Sequence, residues 1–173
     1  MSHDITIRKV TADDIIRLQE ISRKTFASTF ASQNTEGDIQ KYLEENLSLE
    51  KLTAEFSNPD SEFYFAMSGA DVIGYLKLNF GATQTELKDN NALEIERIYV
   101  LKKYHGKKVG QLLYDKAIEV AHDKKSSYVW LGVWENNERA ISFYRKNGFT
   151  AFDKHIFMLG DDEQTDIMMR LFL

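Results

Sequence analysis

Polar and apolar residues alternate from Ile5 to Val10 as in a half-buried strand. Thr11-Ala12-Asp13-Asp14 then supplies a cap and first-turn acids, and opens a helix with Ile15, Leu18, Ile21 and Phe26 on one side. Two more helical stretches are predicted, over about 36–47 and around 49–56. The only proline lies in Ser57-Asn58-Pro59-Asp60, which breaks the helical pattern. Strands over 62–68 and 71–79 flank the turn Ser68-Gly69-Ala70-Asp71 and read as a hairpin. A polar loop over 80–91 leads to a β-rich stretch over 92–100, whose alternation puts Glu94, Glu96, Ile98 and Val100 on one side.

After His105-Gly106-Lys107-Lys108-Val109-Gly110 comes a helix. Its apolar residues Val109, Leu112, Leu113, Ala117, Val120 and Ala121 recur at i, i+3 and i+4. A strand over 128–133 precedes a shorter helix over 136–146, which Asn147-Gly148 stops with glycine just past its end. Segments 149–159 and 165–173 are expected to pair as the antiparallel end of the sheet. The order β, helices, ββ, β, α, β, α, ββ predicts a mixed α/β domain with one central β-α-β unit.

Composition narrows the function classes. A chain of 173 residues with 43% hydrophobic and 12% aromatic content is expected to be one domain over 1–173 with a proper core. Phe63-Tyr64-Phe65 and Met168-Met169 read as core strand residues. The absence of cysteine excludes disulfides, thiolate metal sites and cysteine nucleophiles. The longest apolar run, 63–67, is far too short for a membrane span, so no membrane partner is expected. Met1-Ser2-His3-Asp4 has no basic segment followed by an apolar one, which predicts no secretory signal and a cytoplasmic location. His3, His105, His122 and His155 are scattered without metal-ligand spacing, and no metal is expected. A net charge of −5 disfavours nucleic acid and favours cationic small molecules.

The strongest candidate chemistry is a phosphate cradle. A strand ending at Val100, a basic glycine-containing turn and a helix start would aim free N–H groups and the helix dipole at an anion. Lys102, Lys103, Lys107 and Lys108 add charge there. Neither G-x-x-x-x-G-K-[ST] nor G-x-G-x-x-G can be laid on it, so nucleotide and dinucleotide loops are excluded. By itself the stretch fits an ordinary strand-to-helix turn with surface lysines equally well.

Three segments together resemble the GNAT superfamily of acetyl-CoA-dependent N-acetyltransferases over nearly the whole chain. In the first, the strand 94–100 and the turn 104–113 look like the family's strand and pyrophosphate loop, [QR]-x-x-G-x-[GA], with His105 and Gly110 at its ends. His105 stands where Gln or Arg is usual and Lys108 where the first Gly is usual. Because the cradle works through backbone N–H groups, a helical Lys108 is expected still to donate. In the second, 137–149 fits N-x-x-A-x-x-[FL]-Y-x-x-x-G-F at every named position. In the third, 130–137 and the acidic stretch 160–166 look like the PaiA-type polyamine N-acetyltransferases. The resemblance implies a GNAT fold, with a mixed, mostly antiparallel sheet of about seven strands flanked by helices. It also implies acetyl-CoA as co-substrate and a small amine, such as spermidine or spermine, as acceptor, in a monomer or a homodimer; the alternatives are a protein N-terminus, a lysine or an aminoglycoside as acceptor, or an acetyl-CoA sensor without turnover.

It further implies roles by position. Tyr144 matches the general acid that protonates the departing CoA sulfur, and the same residue packs equally well as a core tyrosine. Glu94 matches the general base and Glu96 lies one dipeptide nearer the thioester; either also fits a solvated or Arg97-paired acid. Ile98, Tyr99 and Val100 are expected to run beside the pantetheine arm. The loop His105, Gly106, Lys107, Lys108, Val109, Gly110 and Gln111 is expected to hold the pyrophosphate. Asn137 is read as a cofactor contact or as a helix cap. The acids Asp161, Asp162, Glu163 and Asp166, with Glu36, Asp38, Glu44 and Glu45, line an acceptor channel or form a solvated surface.

Overall fold

The computed structural model describes residues 4–173; Met1 to His3, read above for a secretory signal, lie outside them. Seven strands form one sheet in the order β1-β2-β3-β4-β5-β7-β6. They are β1 (Ile5–Lys9), β2 (Ser61–Ser68), β3 (Asp71–Phe80), β4 (Ala92–Val100), β5 (Tyr128–Trp134), β6 (Thr150–Leu159) and β7 (Asp162–Phe172). Five α-helices flank it: α1 (Ile15–Phe30), α2 (Glu36–Asn46), α3 (Leu49–Ser57), α4 (Val109–Asp123) and α5 (Glu138–Lys146). Every neighbouring pair is antiparallel except β4 and β5, which the α4 crossover joins in parallel.

The sheet is covered on both faces because its inner strands are apolar on both. In β2, Tyr64 and Ala66 pack with Val109, Leu113, Ala117 and Ala121 of α4. Phe63, Phe65 and Met67 pack instead with Leu18 and Ile21 of α1. Thr11 and Asp14 close a capping box in a short 3-10 turn just before α1, and Thr35 and Ser48 accept from the N–H groups of Asp38 and Lys51 to cap α2 and α3.

One irregularity decides the site. Lys77 pairs with Arg97 but Leu78 pairs with Ile95, so Glu96 is an extra residue bulged out of β4. The bulge reverses the alternation beyond it. Ile98 and Val100 therefore join Ile95 on the α4 face, while Tyr99 packs on the α1 face. The expected single row of Glu94, Glu96, Ile98 and Val100 is thus split. The last strand is longer than the expected 165–173: β7 begins at Asp162, and the hairpin turn is only Gly160-Asp161.

Candidate active site

β4 and β5 pair only over Ala92–Ile95 and Tyr128–Leu131, then part. From Glu96 onward β4 has a partner on its β3 side alone. The sheet opens at this fork into a cavity of about 250 Å³. Helix α5 lies on the α4 face, yet Asn137, Ala140 and Tyr144 reach the cavity through the gap.

Carboxylates form the cavity floor. Glu94 is 2% exposed. It accepts from Asn79 Nδ2 at 3.0 Å, from the Thr85 backbone N–H at 2.8 Å and from the Thr85 hydroxyl. Burial pushes its carboxyl above the usual range against those hydrogen bonds. Glu96 accepts from Lys77 Nζ at 2.9 Å and Asn79 Nδ2 at 2.8 Å, and pairs with Arg97 Nη2 at 2.9 Å. Burial alone would raise this carboxyl, but the Arg97 guanidinium and Lys77 ammonium outweigh it and hold it at about 2. Glu55 of α3 closes the network, 2.9 Å from Lys77 Nζ and 3.0 Å from Arg97 Nη1. The Arg97-paired alternative therefore describes Glu96, and a hydrogen-bonded buried acid describes Glu94.

Tyr144 is 5% exposed, packs against Phe143 and Phe149, and lines the cavity. Burial, with Tyr114 adding to it, raises its phenol and keeps it protonated. Asn137 caps α5, its Oδ1 accepting from the Ala140 N–H at 3.2 Å. The cap uses the carbonyl oxygen and leaves the amide NH₂ for another partner. Phe26, Phe30, Tyr42, Trp134 and Phe157 form an aromatic wall.

The basic turn lies past the end of β4. Gly106 has φ 79° and Lys108 φ 64°, so two left-handed residues bracket Lys107. Lys108 is the residue before α4 and is left-handed, not helical as expected. The first intrahelical bond runs from the Leu112 N–H to the Lys108 carbonyl, which leaves the N–H groups of Val109, Gly110 and Gln111 ahead of it. No atom comes within 4 Å of a Cβ built at Gly106 or Gly110, so space is open beside them. Successive N–H groups in such a turn form a concave anion site. The ring of His105 meets the Val100 carbonyl at 2.9 Å and ties the turn to β4.

Of the predicted residues, the cavity gathers Glu94, Glu96, Ile98, Tyr99, Asn137 and Tyr144, while the turn 105–111 stands beyond it. Of the expected acidic channel only Asp166 lines this cavity. Asp161 pairs with Lys41 at the surface, and Asp38 accepts from the Asp161 N–H. Glu36, Glu44 and Glu45 are exposed, the solvated alternative. Sequence reading passed over Lys77, Asn79, Thr85 and His155. Asn79 and Lys77 sit opposite Glu94 and Arg97 in the β3–β4 register, a relation that no local motif encodes.

A model of the acetyltransferase (GNAT) family matches residues 18–149. The chain belongs to the GNAT family of acetyltransferases. It is 42% identical over 166 residues to an uncharacterised N-acetyltransferase of the pepI 3′ region of Lactobacillus delbrueckii subsp. lactis, covering 96% of each. It is 32% identical to the spermidine N(1)-acetyltransferase of Thermoplasma acidophilum, covering 86% of this chain and 90% of that one. The crystal structure of a PaiA N-acetyltransferase from T. acidophilum in complex with coenzyme A superposes with a TM-score of 0.81 at 29% identity, covering 98% and 99%. This GNAT protein is an acetyl-CoA-dependent N-acetyltransferase. No helix among the described residues is long and apolar enough to cross a membrane.

Proposed function

We propose that this GNAT enzyme acetylates a primary amine of a polyamine such as spermidine or spermine, by direct attack within a ternary complex. One observation carries the reading: among the described residues, the cavity at the β4–β5 fork is lined by Glu94, Glu96 and Asp166 against the single cation Arg97, and by aromatic rings. Rings attract alkylammonium groups and pack against methylene chains, while the carboxylates balance the charge. The net charge of −5 and the 32% identity to a spermidine acetyltransferase support the same class.

In this reading residues 1–173 act as one cytoplasmic acetyltransferase domain. The N–H groups of Val109, Gly110 and Gln111, beside the open turn at Gly106, receive the CoA pyrophosphate, with Lys107 and Lys108 adding charge. The pantetheine arm runs along the β4 edge at Ile98, Tyr99 and Val100, and the Asn137 amide donates to it. Glu94 and Glu96 hold the acceptor's ammonium groups. An N–H bond of the neutral acceptor amine breaks, its proton going to a carboxylate of the cavity, as the nitrogen bonds to the acetyl carbon; the C–S bond breaks, and Tyr144 gives its proton to the departing thiolate. Holding both reactants in one cavity supplies much of the rate.

The test is CoA-thiol release from acetyl-CoA with spermidine, spermine, putrescine, a lysine peptide and an aminoglycoside. Without cysteine in the chain, a thiol reagent sees only product. Polyamines are expected to exceed the peptide and the aminoglycoside at least ~10-fold in kcat/KM, a gap of about 1.4 kcal/mol in transition-state binding. Inert polyamines beside an acetylated peptide would overturn the substrate and leave the enzyme class standing.

A further inference from the structure

The cavity holds a third carboxylate that differs from Glu94 and Glu96. Asp166 of β7 and His155 of β6 face each other in the β6–β7 register, with Nε2 and Oδ2 3.5 Å apart. Both lie over Gly132: a Cβ there would come within 3.2 Å of Asp166 Oδ2 and 3.3 Å of His155 Cε1. Gly132 is the first residue of β5 beyond its pairing with β4, so the carboxylate sits at the mouth of the fork. A larger residue there would press on both side chains, which lie against the strand. Glu94 and Glu96 are each tied to several donors, whereas the His155 ring is the group that opposes burial at Asp166. The buried Nδ1 of His155 has no hydrogen-bond partner, and its nearest acid is Glu86 Oε1 at 3.9 Å.

We propose that Asp166 is the base that takes the proton from the acceptor amine, and that His155, whose ring faces it across the β6–β7 pair, positions it. The proposal rests on the fork cavity being the acetyl-transfer site and does not require a polyamine. An N–H bond of the acceptor breaks and its proton goes to Asp166 Oδ2. The N–C bond forms, the C–S bond breaks, and the thiolate takes the Tyr144 proton. After product release, solvent takes the proton from Asp166 and returns one to Tyr144.

Burial raises the Asp166 carboxyl to about 6 against the opposing influence of His155, which matches a base working near neutrality. The other charged groups facing it are Glu86 from the loop before β4, Glu94, Glu96 and Arg97 from β4, and Tyr42 from α2 when ionised. Glu96 stays ionised down to about 2 and Arg97 stays charged, so neither titrates across the neutral range.

The experiment records kcat against pH for wild type, Asp166→Asn, His155→Gln and Glu94→Gln. It uses the best acceptor of the amine panel and, separately, the weakly basic trifluoroethylamine. An acetyl-CoA-induced rise in melting temperature checks that each variant is folded and binds. Asp166→Asn is expected to lose about 10²–10⁴-fold with the strongly basic amine and under ~10-fold with the weak one, which arrives already neutral. Its acidic limb should move from near pH 6 to the titration of the amine itself. His155→Gln should shift that limb to higher pH, since the ring no longer favours the carboxylate, and Glu94→Gln should weaken acceptor binding without removing the limb. Equal losses with both amines, or an unmoved limb in Asp166→Asn, would overturn the proposal. If no amine were turned over while acetyl-CoA still bound, the transfer reading itself would fall instead.

Discussion

Lys108 shows how a single residue departs from its motif without removing what the motif supplies. At φ 64° and ψ 16° its Cβ crowds the neighbouring carbonyl, a cost of about 1–2 kcal/mol that glycine avoids. The N–H groups of the cradle belong to the backbone and are indifferent to the side chain. Lys108→Gly is therefore expected to gain about 1 kcal/mol after the extra entropy of glycine in the unfolded chain is counted, or roughly 2–4 °C in Tm. Acetyl-CoA should still bind, more weakly by the loss of one charge. A thermal melt with and without acetyl-CoA measures both, and a lower Tm for the glycine variant would contradict the strained geometry. From sequence the lysine was visible but its backbone angle was not, because non-glycine residues seldom take this conformation.

Elements tell a similar story at larger scale. The hairpin 62–79, the β4–α4–β5 unit and the cap of α5 were legible because each writes a periodicity or a capping residue into consecutive positions. The bulge at Glu96 was not, since one extra residue in a strand has no local signature, and every face assignment beyond it reversed. Of the Lys77–Glu55–Glu96–Arg97 network only the pairing with Arg97 was legible; Lys77 and Glu55 were hidden, because they come from β3 and α3. This network ties a helix to the bulged strand; its Lys77 is buried, and Glu55, Glu96 and Arg97 are half-buried. Lys77→Met should thus cost about 3–5 kcal/mol by leaving two carboxylates to share one guanidinium. Urea denaturation reads that value, and a loss under ~1 kcal/mol would mean the ion pairs are solvated in solution. His155 was missed in the same way: its partner lies on the next strand, and neither residue belongs to a recognisable spacing.

For the whole molecule, two cavity acids pull stability in opposite directions with pH. Glu96, held at about 2, contributes stability that is complete above the unfolded value of about 4.3 and fades as pH falls toward 2. Asp166, raised to about 6, binds its proton more tightly folded than unfolded. Its burden is full above pH 6 and is relieved as pH falls toward about 3.9. Asp166→Asn is expected to stabilise the protein at pH 7.5 by on the order of 2 kcal/mol and to change little at pH 4, while activity falls. Denaturation at the two pH values tests this, and destabilisation at pH 7.5 would assign Asp166 a structural role. The fork joins these effects to chemistry, because it lets a residue of α5 on one face of the sheet reach a cavity on the other. The most direct test of the account is kcat for CoA release by Tyr144→Phe at saturating acetyl-CoA and acceptor. A fall of about 10²–10³-fold with acetyl-CoA affinity unchanged is predicted. An unchanged kcat would contradict proton donation by Tyr144 at the β4–β5 fork.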